Sequence, residues 1–112
     1  MKESPIFTKT FDLLAWLLPA TLKFPKEQRF VLAQRTQMAA FNFYEEITAA
    51  SISEQKAVHL GQADIELQRL RLYLRLCQRL QLFSKGQYEH VSIMVEEIGR
   101  LLGGWLRKGG GI

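Results

Sequence analysis

The sequence has few of the residues from which disulfide scaffolds, signal peptides and membrane spans are built. Its single cysteine, Cys77, cannot form an intramolecular disulfide, and nothing indicates an oxidising compartment. No apolar run approaches the roughly 20 residues of a membrane span. The N-terminal residues 1–5 carry an acid and a proline where a signal peptide would have its basic region. We therefore expect a cytoplasmic protein without a membrane segment.

Residue patterns typical of catalysis are also missing. His59 and His90 have no glutamate three residues before them, so the Glu-x-x-His pairs of di-iron bundles are absent. We find no Cys/His metal spacing, no glycine-rich phosphate loop and no Ser-His-Asp order. Cys77 lies in an apolar stretch that is typical of a core residue rather than of a nucleophile. The sequence predicts a protein that is not an enzyme and holds neither metal nor cofactor.

What the sequence does have is the composition and periodicity of a small helical protein. A hydrophobic fraction of 47% and a charged fraction of 23% argue against disorder. Apolar residues recur at helical spacing, and the short connections predict an up-down-up-down four-helix bundle of the all-α class. The predicted helices span about 5–23, 26–50, 54–83 and 87–107. We predict one domain at 1–108 and a flexible glycine-rich tail at 109–112.

Two local signals refine these boundaries. Pro19 lies inside the first predicted helix, where it would remove a backbone hydrogen bond and produce a kink near Ala15. Ser51 and Glu54 have the spacing of a capping box, which separates the second and third helices. Because the link between those helices is short, we expect them to be antiparallel neighbours.

The third predicted helix has an unusually wide apolar surface. Its apolar residues cover an arc of about 200° on a helical wheel, whereas one bundle face needs an apolar stripe of ~100° or somewhat more. Two interpretations are open: the helix contacts a second subunit through residues such as Leu72 and Leu76, or it is the central helix of the monomer. The arc comprises Leu70, Leu72, Tyr73, Leu74, Leu76, Cys77, Leu80 and Phe83.

The opposite face of this helix carries three arginines. Arg71, Arg75 and Arg79 follow one another at i, i+4 and i+8, and no acidic residue lies between Arg69 and Lys85. Each like-charged pair costs roughly 0.2–0.5 kcal/mol, so we expect a partner to neutralise this arginine ladder. Phosphates and carboxylates both match the planar guanidinium. The alternative is a solvated face that pairs with acids of a neighbouring helix.

The net charge of +4 is unevenly distributed along the chain. Residues 1–68 hold seven basic and eight acidic side chains, whereas residues 69–112 hold eight basic and three acidic ones. Such asymmetry indicates an anionic partner. The predicted basic patch therefore extends from the ladder to Lys85, Arg100, Arg107 and Lys108.

Glycines inside the fourth predicted helix indicate close packing. Gly99 and Gly103 lie four residues apart with Gly104 beside them, although an interior glycine costs roughly 0.5–1 kcal/mol relative to alanine. We expect another backbone or a large ring to pack against Gly99 and Gly103. Trp105 is interpreted as a packed anchor rather than as a platform for base stacking.

The segment 97–106, EIGRLLGGWL, resembles the C-terminal helix of the accessory variability determinants of diversity-generating retroelements. The spacing of Pro19 and Pro25 and the segments Ala63-Asp64 and 70–76 are also similar to that family. The segment 23–27 with Ala39-Ala40 resembles four-helix proteins encoded in intervening sequences of bacterial 23S rRNA genes, which belong to the same superfamily.

The resemblance implies a homopentamer with a basic surface that binds a reverse transcriptase and its template RNA. Such a protein supports mutagenic cDNA synthesis without catalysing a step. Arg71 and Arg75 match the arginine-bearing helix of the family by position, whereas Arg79 extends their ladder outside the motif. The tail at 109–112 departs from the family because it lacks further basic residues. The alternative is a structural oligomer of the intervening-sequence type that does not contact nucleic acid.

Overall fold

A computed structural model describes residues 4–110. Helix α1 spans Pro5–Leu22. Helix α2 is continuous and consists of Lys26–Gln28, a π-helical turn at Arg29–Ala33 and Gln34–Ile52. Helix α3 spans Lys56–Arg79, and α4 spans Lys85–Trp105 before a second π-helical segment at Leu106–Gly110. No strand occurs between residues 4 and 110, so the predicted all-α class is confirmed.

Helices α2 and α3 form the most extensive helix pair of the bundle. Thr36 approaches Cys77 at 4.0 Å between the hydroxyl and the thiol, and Glu46 contacts His59 at 2.9 Å. A later residue of α2 thus meets an earlier residue of α3, which is the pattern of antiparallel helices. The prediction of an antiparallel pair is confirmed.

Helix α1 completes the bundle by packing against both α2 and α4, while α4 also packs against α3. In both neighbours, later residues of α1 contact earlier residues of the neighbouring helix, so α1 is antiparallel to each of them. The four helices therefore alternate in direction, which confirms the up-down-up-down bundle. The pairs are Lys9–Glu97 at 2.9 Å and Trp16–His90 at 5.4 Å towards α4, and Phe7–Tyr44 at 6.3 Å and Thr21–Gln37 at 2.8 Å towards α2.

Small side chains explain why α2 and α3 pack so closely. Ala40 and Ala50 of α2 and Ala63 of α3 are fully buried. Because alanine projects only a methyl group, the two helix axes approach each other more closely than leucines would allow. Larger side chains such as Phe43 and Leu67 fill the space around this seam.

The link between α2 and α3 differs from the prediction. Helix α2 continues to Ile52, and the Ser51 hydroxyl donates to the carbonyl of Thr48 at 2.6 Å instead of capping a new helix. Helix α3 begins after Gln55, whose side chain forms no cap. The Lys56 ammonium donates to the carbonyl of Ala50 at 2.8 Å and so satisfies the end of α2. The predicted capping box at Ser51 is therefore wrong.

The end of α3 also differs, because the helix stops at Arg79 rather than at residue 83. Gln81 has a positive φ of 60°. Its N–H donates to the carbonyl of Gln78 at 3.0 Å, and the N–H of Leu82 donates to that of Cys77 at 2.8 Å. This pair of bonds is a Schellman motif, which terminates a helix.

Leaving the helix allows Phe83 to enter the core from the α3–α4 link. Its ring is buried and lies 5.6 Å from Trp16 and 5.2 Å from Phe24, measured between ring centroids. Both of these rings lie outside α3, one in α1 and one in the segment that follows it. Burial of this aromatic ring favours the early end of α3.

Helix α4 starts two residues earlier than predicted because its start is capped. The Ser84 hydroxyl accepts from the backbone N–H of Gln87 at 3.1 Å, and the side-chain amide oxygen Oε1 of Gln87 accepts from the backbone N–H of Ser84 at 2.9 Å. The α-helix ends at Trp105, and Gly109 and Gly110 still belong to the following π-helical segment. Residues 111–112 of the predicted tail lie outside the described residues. The division at 108–109 stays a prediction.

Two further features concern helix geometry. Helix α1 runs through Pro19 without interruption, and a bend at Ala15 stays a prediction. The π-helical turn at Arg29–Ala33 was not predicted, and it leaves the side chains of Phe30 and Val31 exposed.

No helix within residues 4–110 is long and apolar enough to cross a membrane.

Candidate functional site

The arginine ladder borders a groove between α3 and α4. This α3–α4 groove has a volume of about 340 Å³. Arg71 and Arg75 lie on its α3 side, whereas Arg79 is not among its lining residues. Two of the three predicted arginines are thus brought to one concave site. The lining residues are Gln68, Arg71, Leu72, Leu74, Arg75, Tyr88, Ser92, Val95 and Glu96.

The ladder has no acidic partner within the described part of the chain. Over residues 4–110, neither Arg71, Arg75 nor Arg79 forms an ion pair within 4.0 Å. Glu96 is the acid of the groove, and its carboxylate accepts from Arg100 at 3.2 Å. No ion pair among these residues therefore supports the alternative that acids of a neighbouring helix pair with the ladder.

The side chain of Arg71 packs against the backbone of α4 at Gly99. A Cβ at Gly99 would overlap the Nη2 atom of Arg71 and would lie 3.6 Å from Cδ2 of Leu67. Gly99 therefore faces a guanidinium, and the predicted neighbour, a backbone or a large ring, is wrong. The spacing of the glycines in the sequence indicated only that something packs closely there. Which group lies against Gly99 depends on how α3 packs against α4.

Arg71 is also unusual in its hydrogen bonding. Its Nε atom is buried and has no hydrogen-bond partner among the described residues. A buried donor without a partner costs roughly 1–3 kcal/mol, because it loses its hydration without compensation. The half-buried guanidinium is thus held by packing against Gly99 rather than by a saturated hydrogen-bond network.

The remaining basic residues lie at different levels along the bundle. Arg79 and Lys85 are exposed where α3 ends and α4 begins. Arg107 and Lys108 are exposed beyond the other end of α4, about 30 Å away along a helix of this length. Arg100 lies between these two ends and pairs with Glu96. The structure thus separates the predicted patch into groups at the two ends of the bundle.

The apolar arc of α3 is divided between the core and the surface. Leu70 and Leu74 are buried, whereas Leu72 and Leu76 are 47% and 41% exposed and Leu80 is exposed as well. The monomer therefore does not bury the whole arc. This division leaves an apolar stripe, Leu72, Leu76 and Leu80, on the outer face of α3.

Trp105 lies in a second, larger groove of about 560 Å³ at the end of the bundle that holds the start of α1. Its half-buried ring lies 6.2 Å from that of Phe7, which agrees with a packed anchor. Lys56, Arg100 and Lys108 also line this groove. A Cβ at Gly103 would lie 3.5 Å from Nη1 of Arg107, an ordinary contact. Sequence reasoning missed Lys56, because α3 brings it to this end only in the folded chain.

Cys77 is completely buried in the bundle core, so its interpretation as a core residue is confirmed. Burial raises the pKa of the thiol to about 11, and the nearby Thr36 hydroxyl opposes this only in part. A thiol with a raised pKa is a poor nucleophile. Within residues 4–110, no group of three or more His, Cys, Asp or Glu side chains is placed to hold a metal ion.

These features define a four-helix-bundle protein with a groove whose two arginines form no ion pair within residues 4–110. A family model described as bAvd-like matches residues 6–109, and the chain belongs to that family. The match confirms the resemblance to the accessory variability determinants that was drawn from residues 97–106. Membership supports an accessory protein of diversity-generating retroelements. A comparison with curated proteins gave no match.

Proposed function

We propose that this chain is a non-catalytic accessory protein of a diversity-generating retroelement. It acts in the cytoplasm as a basic oligomeric scaffold, and it binds the reverse transcriptase and the template RNA or the cDNA to support mutagenic reverse transcription. The observation that carries this proposal is the groove in which Arg71 and Arg75 form no ion pair with any acid of residues 4–110. Membership of the bAvd-like family supports it independently.

Phosphate neutralisation supplies the affinity in this proposal. A guanidinium donates two hydrogen bonds at once to a phosphate, and each phosphate contact releases counterions from the nucleic acid. Binding should therefore weaken steeply as salt is raised. Because phosphates carry no sequence information, little base preference is expected. No cofactor or metal takes part in this mechanism.

Oligomer formation rests on the outer face of α3. Leu72, Leu76 and Leu80 together expose apolar surface that a second subunit would cover. The family resemblance implies a ring of five subunits, which requires two different surfaces of each chain to meet. Replacing Leu76 and Leu80 together by glutamine, with Leu72 of the α3–α4 groove left unchanged, should lower the solution mass measured by light scattering. Replacing the exposed Ile52 by glutamine serves as the control.

The principal test measures binding of the cognate reverse transcriptase and template RNA across a salt series. The variant with Arg71, Arg75 and Arg79 replaced by glutamine should keep its helix content and lose affinity. A matched variant removes the same charge from exposed positions elsewhere: Lys23→Gln, Arg29→Gln and Arg35→Gln. This control should retain most of the affinity, because its residues lie outside the groove.

Four results would contradict the proposal. Affinity for RNA that does not change with salt would exclude phosphate neutralisation. Equal losses in the ladder variant and in the matched variant would mean that only net charge matters. Unfolding of the ladder variant would assign these arginines a structural role. A multimer that binds neither RNA nor polymerase would favour the structural oligomer of the intervening-sequence type.

A further inference from the structure

Gly99 differs from the other described glycines of α4 in what faces it. At Gly86 and Gly104 an added Cβ would meet nothing within 4 Å, and at Gly103 it would make an ordinary contact. At Gly99 it would overlap the Nη2 atom of Arg71. The space that a side chain would take at this position is therefore filled by the guanidinium of another helix.

This contact fixes where the charge of Arg71 lies. A guanidinium on a long, flexible stem samples many positions at a solvated surface. Here the missing Cβ at Gly99 lets the guanidinium pack against α4, and Arg71 and Arg75 both line the α3–α4 groove. Glycine in a helix interior lowers stability relative to alanine, so this arrangement is maintained against the helix propensity.

Residues that carry hydrogen-bond donors line the groove on both of its walls. The α3 wall supplies the guanidinium groups of Arg71 and Arg75, and the α4 wall supplies the hydroxyl-bearing residues Tyr88 and Ser92. The two non-bridging oxygens of a backbone phosphate point in different directions from its tetrahedral phosphorus, so they can accept from both walls at once. A planar carboxylate matches the fork of a single arginine. This arrangement favours a phosphate as the occupant.

The acid at the rim does not prevent anion binding. The Glu96 carboxylate pairs with Arg100 at 3.2 Å, and this ion pair offsets its charge near the groove. Among the described residues, the buried Nε of Arg71 has no hydrogen-bond partner, so no acid or carbonyl holds this atom.

We infer that the α3–α4 groove is a site for one phosphate group of a nucleic-acid backbone, and that Gly99 positions Arg71 for it. This inference rests on the proposed function and names the group that the groove takes. Gly99 is a positioning residue, because it acts only through the arginine that lies against it.

The test uses Gly99→Ala in the full chain. Its Cβ displaces the flexible end of Arg71, so the variant should fold and melt no lower than the unchanged protein. Its affinity for a single-stranded RNA oligonucleotide, measured by fluorescence anisotropy, should fall about tenfold, the loss expected for one charged hydrogen bond. Gly103→Ala and Gly104→Ala are matched controls that should bind normally, since no side chain fills their Cβ space as Arg71 fills that of Gly99.

A double-mutant cycle separates positioning from a general structural effect. If Gly99 acts through Arg71, the double variant Gly99→Ala, Arg71→Gln should bind no more weakly than Arg71→Gln alone. Additive losses would overturn the positioning role. If Gly99→Ala does not fold, the phosphate titration with Arg71→Gln below still decides whether the groove is a phosphate site.

Inorganic phosphate is the probe for the site itself. Its addition should shift the NMR signals of the side-chain Nε–H groups of Arg71 and Arg75, and Arg71→Gln should weaken the remaining response. Equal shifts with acetate at the same concentration would overturn the assignment to phosphate and point to an acidic protein partner. Absence of any shift, with salt-dependent RNA binding intact, would overturn this inference while leaving the proposed function in place.

Discussion

The Thr36 hydroxyl and the Cys77 thiol lie 4.0 Å apart in the bundle core, although 41 positions separate them in the sequence. Thr36 already donates to the carbonyl of Leu32 at 2.7 Å, so its hydroxyl is satisfied within its own helix. The contact fixes the register between α2 and α3 and places the one thiol of the protein where solvent does not reach it.

Cys77 should resist thiol reagents in the folded protein. Because its side chain is fully buried and its pKa is raised to about 11, labelling with a maleimide at pH 8 requires opening of the bundle. The labelling rate, followed by mass spectrometry, should rise with urea in parallel with unfolding. A variant that carries Ile52→Cys together with Cys77→Ala should react at once, since position 52 is exposed. Equally rapid labelling of Cys77 in native buffer would contradict its burial.

The same thiol should make stability depend on alkaline pH. Its folded pKa of about 11 exceeds the ordinary value of 9.0, so the folded state favours the neutral thiol. The stabilisation is fully present below pH 9 and is lost as pH rises through 11. Urea unfolding should therefore reveal a larger loss of stability between pH 9 and 11 for the unchanged protein than for Cys77→Ala. Parallel curves for the two proteins would disprove this coupling.

Gln81→Gly should stabilise the protein by roughly 1 kcal/mol. Gln81 adopts a positive φ of 60°, which is costly for a residue with a Cβ and free for glycine. Gln62→Gly is the matched control, because Gln62 is exposed inside α3 and should lose roughly 1 kcal/mol. Thermal unfolding of both variants gives the comparison, and a loss of stability in Gln81→Gly would contradict the assigned Schellman motif.

Ser84→Ala should destabilise the protein by roughly 1 kcal/mol. The Ser84 hydroxyl caps α4 by accepting from the N–H of Gln87, and its removal leaves that donor without a partner. Ser51→Ala provides the contrast, because Ser51 caps no helix, and its effect should stay within roughly 0.5 kcal/mol. Equal effects of the two substitutions in urea unfolding would argue against the capping box at the start of α4.

Ala63→Leu should cost roughly 1–3 kcal/mol, because the larger side chain must force α2 and α3 apart. Ala57 lies on the exposed side of the same helix, and Ala57→Leu should change stability by less than roughly 0.5 kcal/mol. Tolerance of leucine at position 63 would mean that the seam is looser than the burial of its alanines implies.

The functional interpretation depended more on the family motif than on the charge pattern. Residues 97–106 pointed to the accessory variability determinants, and the family match over 6–109 confirmed this. Charge counting placed the basic residues of the C-terminal half in one patch. The structure places Arg79 and Lys85 at one end of α4 and Arg107 and Lys108 beyond the other, because a long helix keeps its two ends far apart. Arg71 and Arg75 share the α3–α4 groove, whereas Arg100 and Lys108 share the groove that holds Trp105.

The sequence by itself determined the four helices and their alternating direction, because a 3.6-residue apolar period and short links leave few other arrangements. The ends of the helices depended on tertiary structure. Helix α3 stops at Arg79 because burying Phe83 against Trp16 favours a strained Gln81, and no glycine marked that turn in the sequence. The neighbour of Gly99 was likewise decided by packing, since only the register of α3 against α4 brings the Arg71 guanidinium to that position.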